Sequence, residues 1–400
     1  MMVIEVYQLF WEKQDHKTQQ DYIKMLQILG SLSNLFSDSK TPYLYYRVHE
    51  NLFCDVFNAK NLSRGDISFD ASKDGIGIGL KTFLNGNGKT FQKVAEFNSD
   101  SDILRNLSSD EEIIFKVSEL RNKRIKITKN ITNVKDAVYH LITREEGSMR
   151  IVETPMDLVD INSIRIPKEQ AKNTIRFSDK YNEYSFSLSK NTLLKRFDTS
   201  DNNLIINFDV EILTNPFDLL KQLLDDKYII NPIRDDENAF EYIILPLYST
   251  RTDSVPERSG LNQWNASGRK RDFDEVYIPI PSWIHDKFSD FFVYSRNRSY
   301  PGESAKNSPA FDVELPDGKI INCKIAQQGG KALMSNPNKD LGKWLLRDVL
   351  NLKHGELLTK KMLDEIGIDS VKLSKVNDDK YILDFTETGE FEKFEMNNRE

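Results

Sequence analysis

The chain has 400 residues, 39% hydrophobic and 29% charged, with a formal net charge of −7; this predicts two or three domains with real cores and a charged surface. No apolar run approaches the roughly 20 residues that span a bilayer, and the opening MMVIEVYQLFWEKQ lacks a basic n-region and is broken at Glu5 and Glu12, so neither membrane insertion nor secretion is expected. Two cysteines, Cys54 and Cys323, are too few for a disulfide framework or a cysteine-rich zinc site, and a cytoplasmic protein is the expectation.

In chain order, Tyr22, Met25, Leu26 and Leu29 give residues 14–36 a helical apolar spacing. A second helix is expected over about 51–62, with Glu50 close to its start. Strands follow at 66–70, 75–83 and 93–97. Ser108 with Glu111 three residues later has the spacing of a capping box, and further strands are expected at 124–128 and 148–152. From Thr174 to Leu213 the runs TIRFSDKYNEYSFSLSKNTLLKRF and NNLIINFDVEIL read as strands separated by polar turns. The segment NPFDLLKQLLDD reads as a short amphipathic helix. Beyond about residue 240 the texture changes to short β runs (LPLYS, EVYIPIP, AFDVELPDGKIINCKIA) divided by Gly, Pro and Asn, the pattern of a small barrel or sandwich. The main boundary is placed near 231–240, giving domains at 1–235 and 240–400, with 174–230 as a possible subdomain that completes the first.

The stretch SFDASKDGIGIGLKTF, residues 68–83, concentrates glycines and acids around Lys81. It is not a dinucleotide fingerprint, because Gly75, Gly77 and Gly79 are spaced two and two inside a strand-like alternation. Nor is GNGKT a P-loop, since the required first glycine position is Phe83. A metal-dependent nuclease site fits better: carboxylates hold Mg²⁺ and a lysine stands near the attacking water. Asp70 and Lys81 lie across an expected turn, so paired strands would bring them together. Asp66 and Asp74 are on the same hairpin, Glu50 precedes it and Glu96 follows it. Asp70, Asp74 and Glu96 are the candidate metal ligands, and Glu50 and Lys81 complete the catalytic candidates. The alternative is an ordinary hairpin with solvated charges. A histidine nucleophile of the phospholipase D kind is not supported, because the aspartate that should follow His285 and Lys287 is Phe292.

The helix–hairpin–strand order of Glu50, Asp70 and Lys81 resembles the PD-(D/E)XK nuclease core. It departs from that pattern at Gly79, where the family carries Asp or Glu two residues before the lysine. The resemblance is stronger at the C-terminus. The ordered set LPLYS, SGLNQWNASGRKR, YIPIP, DGKIINCKIAQQGGKAL and LGKWLLRDVL resembles the DNA-recognition domain of restriction endonucleases of the NgoFVII and BfiI kind. That domain is a pseudobarrel similar to the EcoRII effector domain and the plant B-three fold. The fold class implied is α+β, a mixed α/β nuclease-like domain followed by a β-pseudobarrel. The resemblance implies double-stranded DNA as partner, read by two polar clusters: Asn262, Trp264, Asn265, Arg269, Lys270 and Arg271, then Gln327, Gln328, Lys331, Ser335 and Asn336. Arg reads guanine and Asn or Gln reads adenine bidentately, whereas the bland reading makes both clusters solvated loops. Lys343 and Arg347 are expected at phosphate or at nothing. The stretch 251–353 carries 16 Lys+Arg against 13 Asp+Glu, so it is locally basic within an acidic chain.

Together these readings predict a type II restriction endonuclease that needs Mg²⁺, with a homodimer formed at least transiently for double-strand cleavage. The alternative is a DNA-binding subunit or regulator without its own catalysis.

Overall fold

The computed structural model describes residues 10–62, 67–86, 89–98, 100–225, 240–293 and 308–399. The chain divides into two compact units, one of 1–129 with 133–234 and the other of 130–132 with 235–400. Asp66 and most of the expected boundary at 231–240 lie outside the described residues. Among those residues no helix is long and apolar enough to cross a membrane.

In the first unit, α1 (His16–Ser31) starts where the Asp15 carboxylate accepts the Thr18 N–H at 3.0 Å, which satisfies one orphan donor of the first turn. It buries Tyr22, Ile23 and Leu26 against α2 (Tyr46–Phe57). The second helix therefore starts earlier than expected and carries Glu50 in its interior. Strands β1 (Lys60–Asn61), β2 (Ala71–Lys73) and β3 (Ile76–Leu84) form an antiparallel set. The β2–β3 turn is the pair Asp74-Gly75, both at positive φ (50° and 76°), the backbone that Asp-Gly favours in a two-residue hairpin.

After β4 (Lys89–Glu96) and α3 (Ser101–Arg105), the long α4 (Asp110–Thr132) leads into β5 (Asp136–Glu145). Strand β5 runs parallel to β3 from Ile76↔Asp136 to Leu84↔Arg144. Its sequence AVYHLIT is buried throughout, as a strand covered on both faces requires. Strands β6 (Ser148–Pro155) and β10 (Leu204–Asp209) complete a sheet of order β1-β2-β3-β5-β6-β10. Strands β7 (Thr174–Ser178), β8 (Glu183–Ser187) and β9 (Thr192–Asp198) join β4 in a second sheet of order β4-β9-β8-β7. The last described element of this unit is α5 (Pro216–Asp225). The strand expected at 124–128 is instead part of α4. Ile125 and Ile127 alternate with cations like a strand, but Ile114, Val117, Leu120, Ile125 and Ile131 are all buried along one broad helix face. The capping box falls one residue later than expected: Ser109 Oγ accepts the Glu112 N–H at 3.2 Å, and the Glu112 carboxylate accepts the Ser108 N–H at 2.7 Å.

The second unit is built on β11 (Tyr242–Pro246), β12 (Ile278–Pro279), β13 (Phe311–Glu314), β14 (Ile320–Ala326), β15 (Ala332–Ser335), β16 (Ile368–Asn377) and β17 (Lys380–Glu387). Their order, β11-β16-β17-β13-β14-β15-β12, brings the edge strands β11 and β12 near one another in an almost closed barrel. Helices α6 (Ser282–Lys287), α7 (Asp340–Gly342, continued as a π-helix over Lys343–Val349), α8 (Lys360–Ile366) and α9 (Glu390–Asn398) surround it. Helices and separate sheets in one chain are an α+β arrangement, and the second unit has the pseudobarrel form.

Candidate functional site

Asp70 stands at the open end of the β2–β3 hairpin. Its N–H donates to the Ile78 carbonyl at 2.9 Å, and its Oδ2 accepts from the Leu80 N–H at 2.6 Å and from Lys81 Nζ at 3.4 Å. Lys81 Nζ also donates to the Leu80 carbonyl at 3.0 Å. The two side chains keep 24% and 29% of their surface in water, so they form an accessible acid–amine pair rather than a buried brace. Glu50 comes from α2, is nearly buried, and pairs with Arg47 at 2.9 Å. One turn further along α2, burial pushes the Cys54 thiol up to about 11, with further contributions from Glu50 and Asp70. Both carboxylates are therefore close enough to the same sulfur to affect it.

Asp74 and Glu96 do not join this group. Asp74 occupies the exposed turn at the other end of the hairpin. Glu96 ends β4 in the other sheet, where Lys93 at 2.8 Å holds its carboxyl below the usual range and Asn98 bonds its second oxygen. Among the described residues no three His, Cys, Asp or Glu side chains are gathered for a metal ion.

The glycines have packing roles. A Cβ on Gly77 would lie 2.5 Å from the Phe69 ring, and one on Gly79 would lie 2.7 Å from Met156 Cε and 2.9 Å from the Tyr139 ring. The place of an acid two residues before Lys81 is thus filled by Tyr139 and Met156. Sequence reasoning missed a second polar group in this unit. His140 Nδ1 lies 2.8 Å from a Glu153 carboxylate that also accepts the Trp11 N–H at 3.1 Å, and His49 Nε2 lies 2.9 Å from the Tyr22 hydroxyl. The signal was available: the turn at Glu146-Gly147 sets His140 directly across from Glu153.

In the second unit many of the expected base-reading residues are structural. Asn262 is 1% exposed; its amide donates to the Leu358 and Pro256 carbonyls at 2.9 and 3.2 Å and accepts the Leu358 N–H at 2.9 Å. Arg269 holds the buried Glu275 carboxylate with both terminal nitrogens. Arg271 donates to the Ala266 carbonyl at 2.9 Å and stands 3.8 Å from Glu275. Trp264 packs on Phe273, and Asn265 bonds the Glu257 carbonyl. Lys270 is exposed. Arg347, expected at phosphate or at nothing, clamps Asp274 at 2.7 Å and the Phe273, Leu352 and Lys353 carbonyls.

The second cluster is divided by β15. Gln327, Gln328 and Lys331 occupy the tight β14–β15 connection, where Gln327, Gly329 and Gly330 have positive φ and Gln328 and Lys331 are exposed. At the other end of β15, Ser335 is fully buried and its Oγ accepts the Leu341 N–H at 3.0 Å, while Asn336 stays exposed before a cis Pro337. Gln327 and Lys331 line a cleft of about 680 Å³ whose facing wall is the loop after β11, including Arg251 and Thr252. Arg251 was not among the expected contacts, although STRTDS marks a polar loop directly after a strand.

Residues 241–377 match the family model described as the NgoFVII C-terminal B3-like DNA-binding domain. This region is a DNA-binding domain of the restriction-enzyme type. The matched span of the B3-like domain runs from β11 to the end of β16, and β17 pairs with both β16 and β13 beyond it. DNA is its partner. No curated protein matches the chain.

Proposed function

We propose that the chain is a type II restriction endonuclease, in which the B3-like domain selects the site on double-stranded DNA and the first unit hydrolyses the phosphodiester with Mg²⁺. The observation that carries this reading is the water-accessible Asp70–Lys81 pair on a hairpin whose second strand runs parallel to β5 after the α4 crossover. Mg²⁺ often takes only one or two protein carboxylates and keeps its waters, so Asp70, with Glu50 if it leaves Arg47, would hold the ion. The bound ion would offset the charge that grows on the phosphate. Lys81, held by Asp70 and the Leu80 carbonyl, would donate toward that charge or orient the attacking water. Asp70 in turn keeps the ammonium aimed. One such site cuts one strand, so double-strand cleavage would take two protomers, at least transiently.

A second reading, a DNA-binding subunit without catalysis, is favoured by the filled space beside Gly79. Incubating the protein with phage DNA, in Mg²⁺ and separately in EDTA, tests between them. Discrete Mg²⁺-dependent fragments are expected, and Lys81→Ala is expected to lower cleavage by at least about 100-fold with DNA retention unchanged. Wild-type retention of specific fragments without cleavage would establish the second reading.

A further inference from the structure

A cavity of about 700 Å³ lies within the first unit, bounded by the end of β6, the β7–β8 turn and β9. Its size is that of a small-molecule site. Lys195 of β9 lines it and is 3% exposed, yet its ammonium has a single acceptor among the described residues, the Pro155 carbonyl at 3.3 Å. The Tyr139 and Phe197 rings, packed edge to face, each stand 5.3 Å from it. Arg121, also buried, bonds the Asp157 carbonyl and the Tyr139 hydroxyl and is close enough to weaken the charge on Lys195. Thr154 lines the same cavity with a buried Oγ1 that has no partner among the described residues.

Four acids line the cavity, and two of them, Asp157 and Asp179, act on Lys195 electrostatically from beyond ion-pair distance; Asp157 accepts the Asn182 amide at 3.4 Å. Asp179 accepts the Tyr181, Asn182 and Asp160 N–H groups, Glu183 pairs with Arg196 at 2.6 Å, and Asp198 accepts the Ser200 N–H. No carboxylate reaches Lys195 within ion-pair distance among the described residues. Asp157 and Asp179 offset the burial of Lys195 beside Arg121 only in part, and a buried ammonium with one acceptor stays costly until an anion meets it directly. A group with close to two negative charges and several acceptor oxygens matches these cations better than a carboxylate does.

We propose that this cavity binds a phosphomonoester, with Lys195 as its main cation and Thr154 Oγ1 as a further donor. The site is separate from Asp70 and Lys81 and does not depend on the nuclease reading. Burial, and secondarily Arg121, outweighs Asp157 and Asp179 and pushes the Lys195 amine down to about 8, so binding weakens as pH rises through that value.

The test is titration of the full chain with inorganic phosphate and deoxyadenosine 5′-monophosphate, followed by calorimetry and thermal melts. Millimolar or tighter binding is expected, weakened at least tenfold in Lys195→Met and several-fold in Thr154→Val. Lys195→Met should melt no lower than wild type, because it removes a buried charge and keeps the packing. Competition by a 5′-phosphorylated oligonucleotide, but not by its 5′-hydroxyl twin, would support the proposal and assign the ligand to a DNA end; competition by the mononucleotide alone would support it and assign the ligand to a free nucleotide. Lack of phosphate binding by the folded wild type, or equal binding by Lys195→Met, would overturn it. If Lys195→Met does not fold, unchanged binding in Thr154→Val together with no weakening between pH 7 and 9 would also overturn it.

Discussion

Gly342 shows why a single position in the LGKWLLRDVL run is glycine. A Cβ there would stand 2.1 Å from the Asp274 carbonyl oxygen, an atom of the main chain. Arg347 and Lys339 tie the same 272–274 segment to this helix, so it has little freedom to retreat. Gly342→Ala is expected to cost about 1–3 kcal/mol, read as a fall of several degrees in Tm. A melt equal to wild type would refute this packing account. Asn262, Arg269 and Arg271 teach a related lesson. Their residue types and order fit base readers, but all three have their polar atoms engaged within the fold. A linear pattern cannot distinguish a side chain that meets solvent from one that satisfies a distant main-chain group such as Leu358.

The β14–β15 hairpin is the element at which base reading by the B3-like domain is expected. Gln328 and Lys331 are exposed there, and Lys331 lines a cleft shared with the loop of Arg251. Because both side chains are exposed and neither forms an ion pair with the described residues, replacing both with Ala should leave Tm within a degree or two. It should weaken retention of a specific DNA fragment about tenfold or more, the loss of one good base contact. Equal retention by Arg251→Ala and by the Gln328→Ala/Lys331→Ala pair would remove this cleft from the interface. The β2–β3 hairpin is the corresponding element of the first unit. The alternation in GIGIGLK made the second strand legible, while the first strand lies at Ala71–Lys73, where a turn was expected after a strand at 66–70; the hairpin still brings Asp70 to Lys81. The helix α4 was not legible as a whole, because RIKIT mimics strand alternation within a few residues and only the burial of the longer stretch shows a helical face.

At the scale of the whole chain, buried titratable groups make the first unit sensitive to acid. Burial, then His140 and Lys81, holds His49 well below the ordinary 6.5, so it is neutral in the fold and protonates in the unfolded chain. Its contribution is full above about pH 6.5 and is lost as pH falls below that value toward the lower folded pKa. The slope is up to about 1.4 kcal/mol per pH unit. Melts from pH 7.5 to 5 should fall accordingly, and His49→Gln should flatten the dependence even if it lowers the neutral Tm. An identical pH profile in that variant would assign the acid sensitivity to other groups.

The sequence by itself determined the β-rich C-terminal region, the hairpin that joins Asp70 to Lys81, and the restriction-type DNA-binding character of the last third. These rest on local turn chemistry, period-two alternation and ordered motifs, which act over short distances. Only the tertiary structure decided that Asp74 and Glu96 stand apart from that pair, that Tyr139 and Met156 fill the space at Gly79, and that Lys195 is buried beside a cavity. Each of those outcomes depends on which strands become neighbours, and a side chain acquires its environment only when residues distant in the chain pack around it.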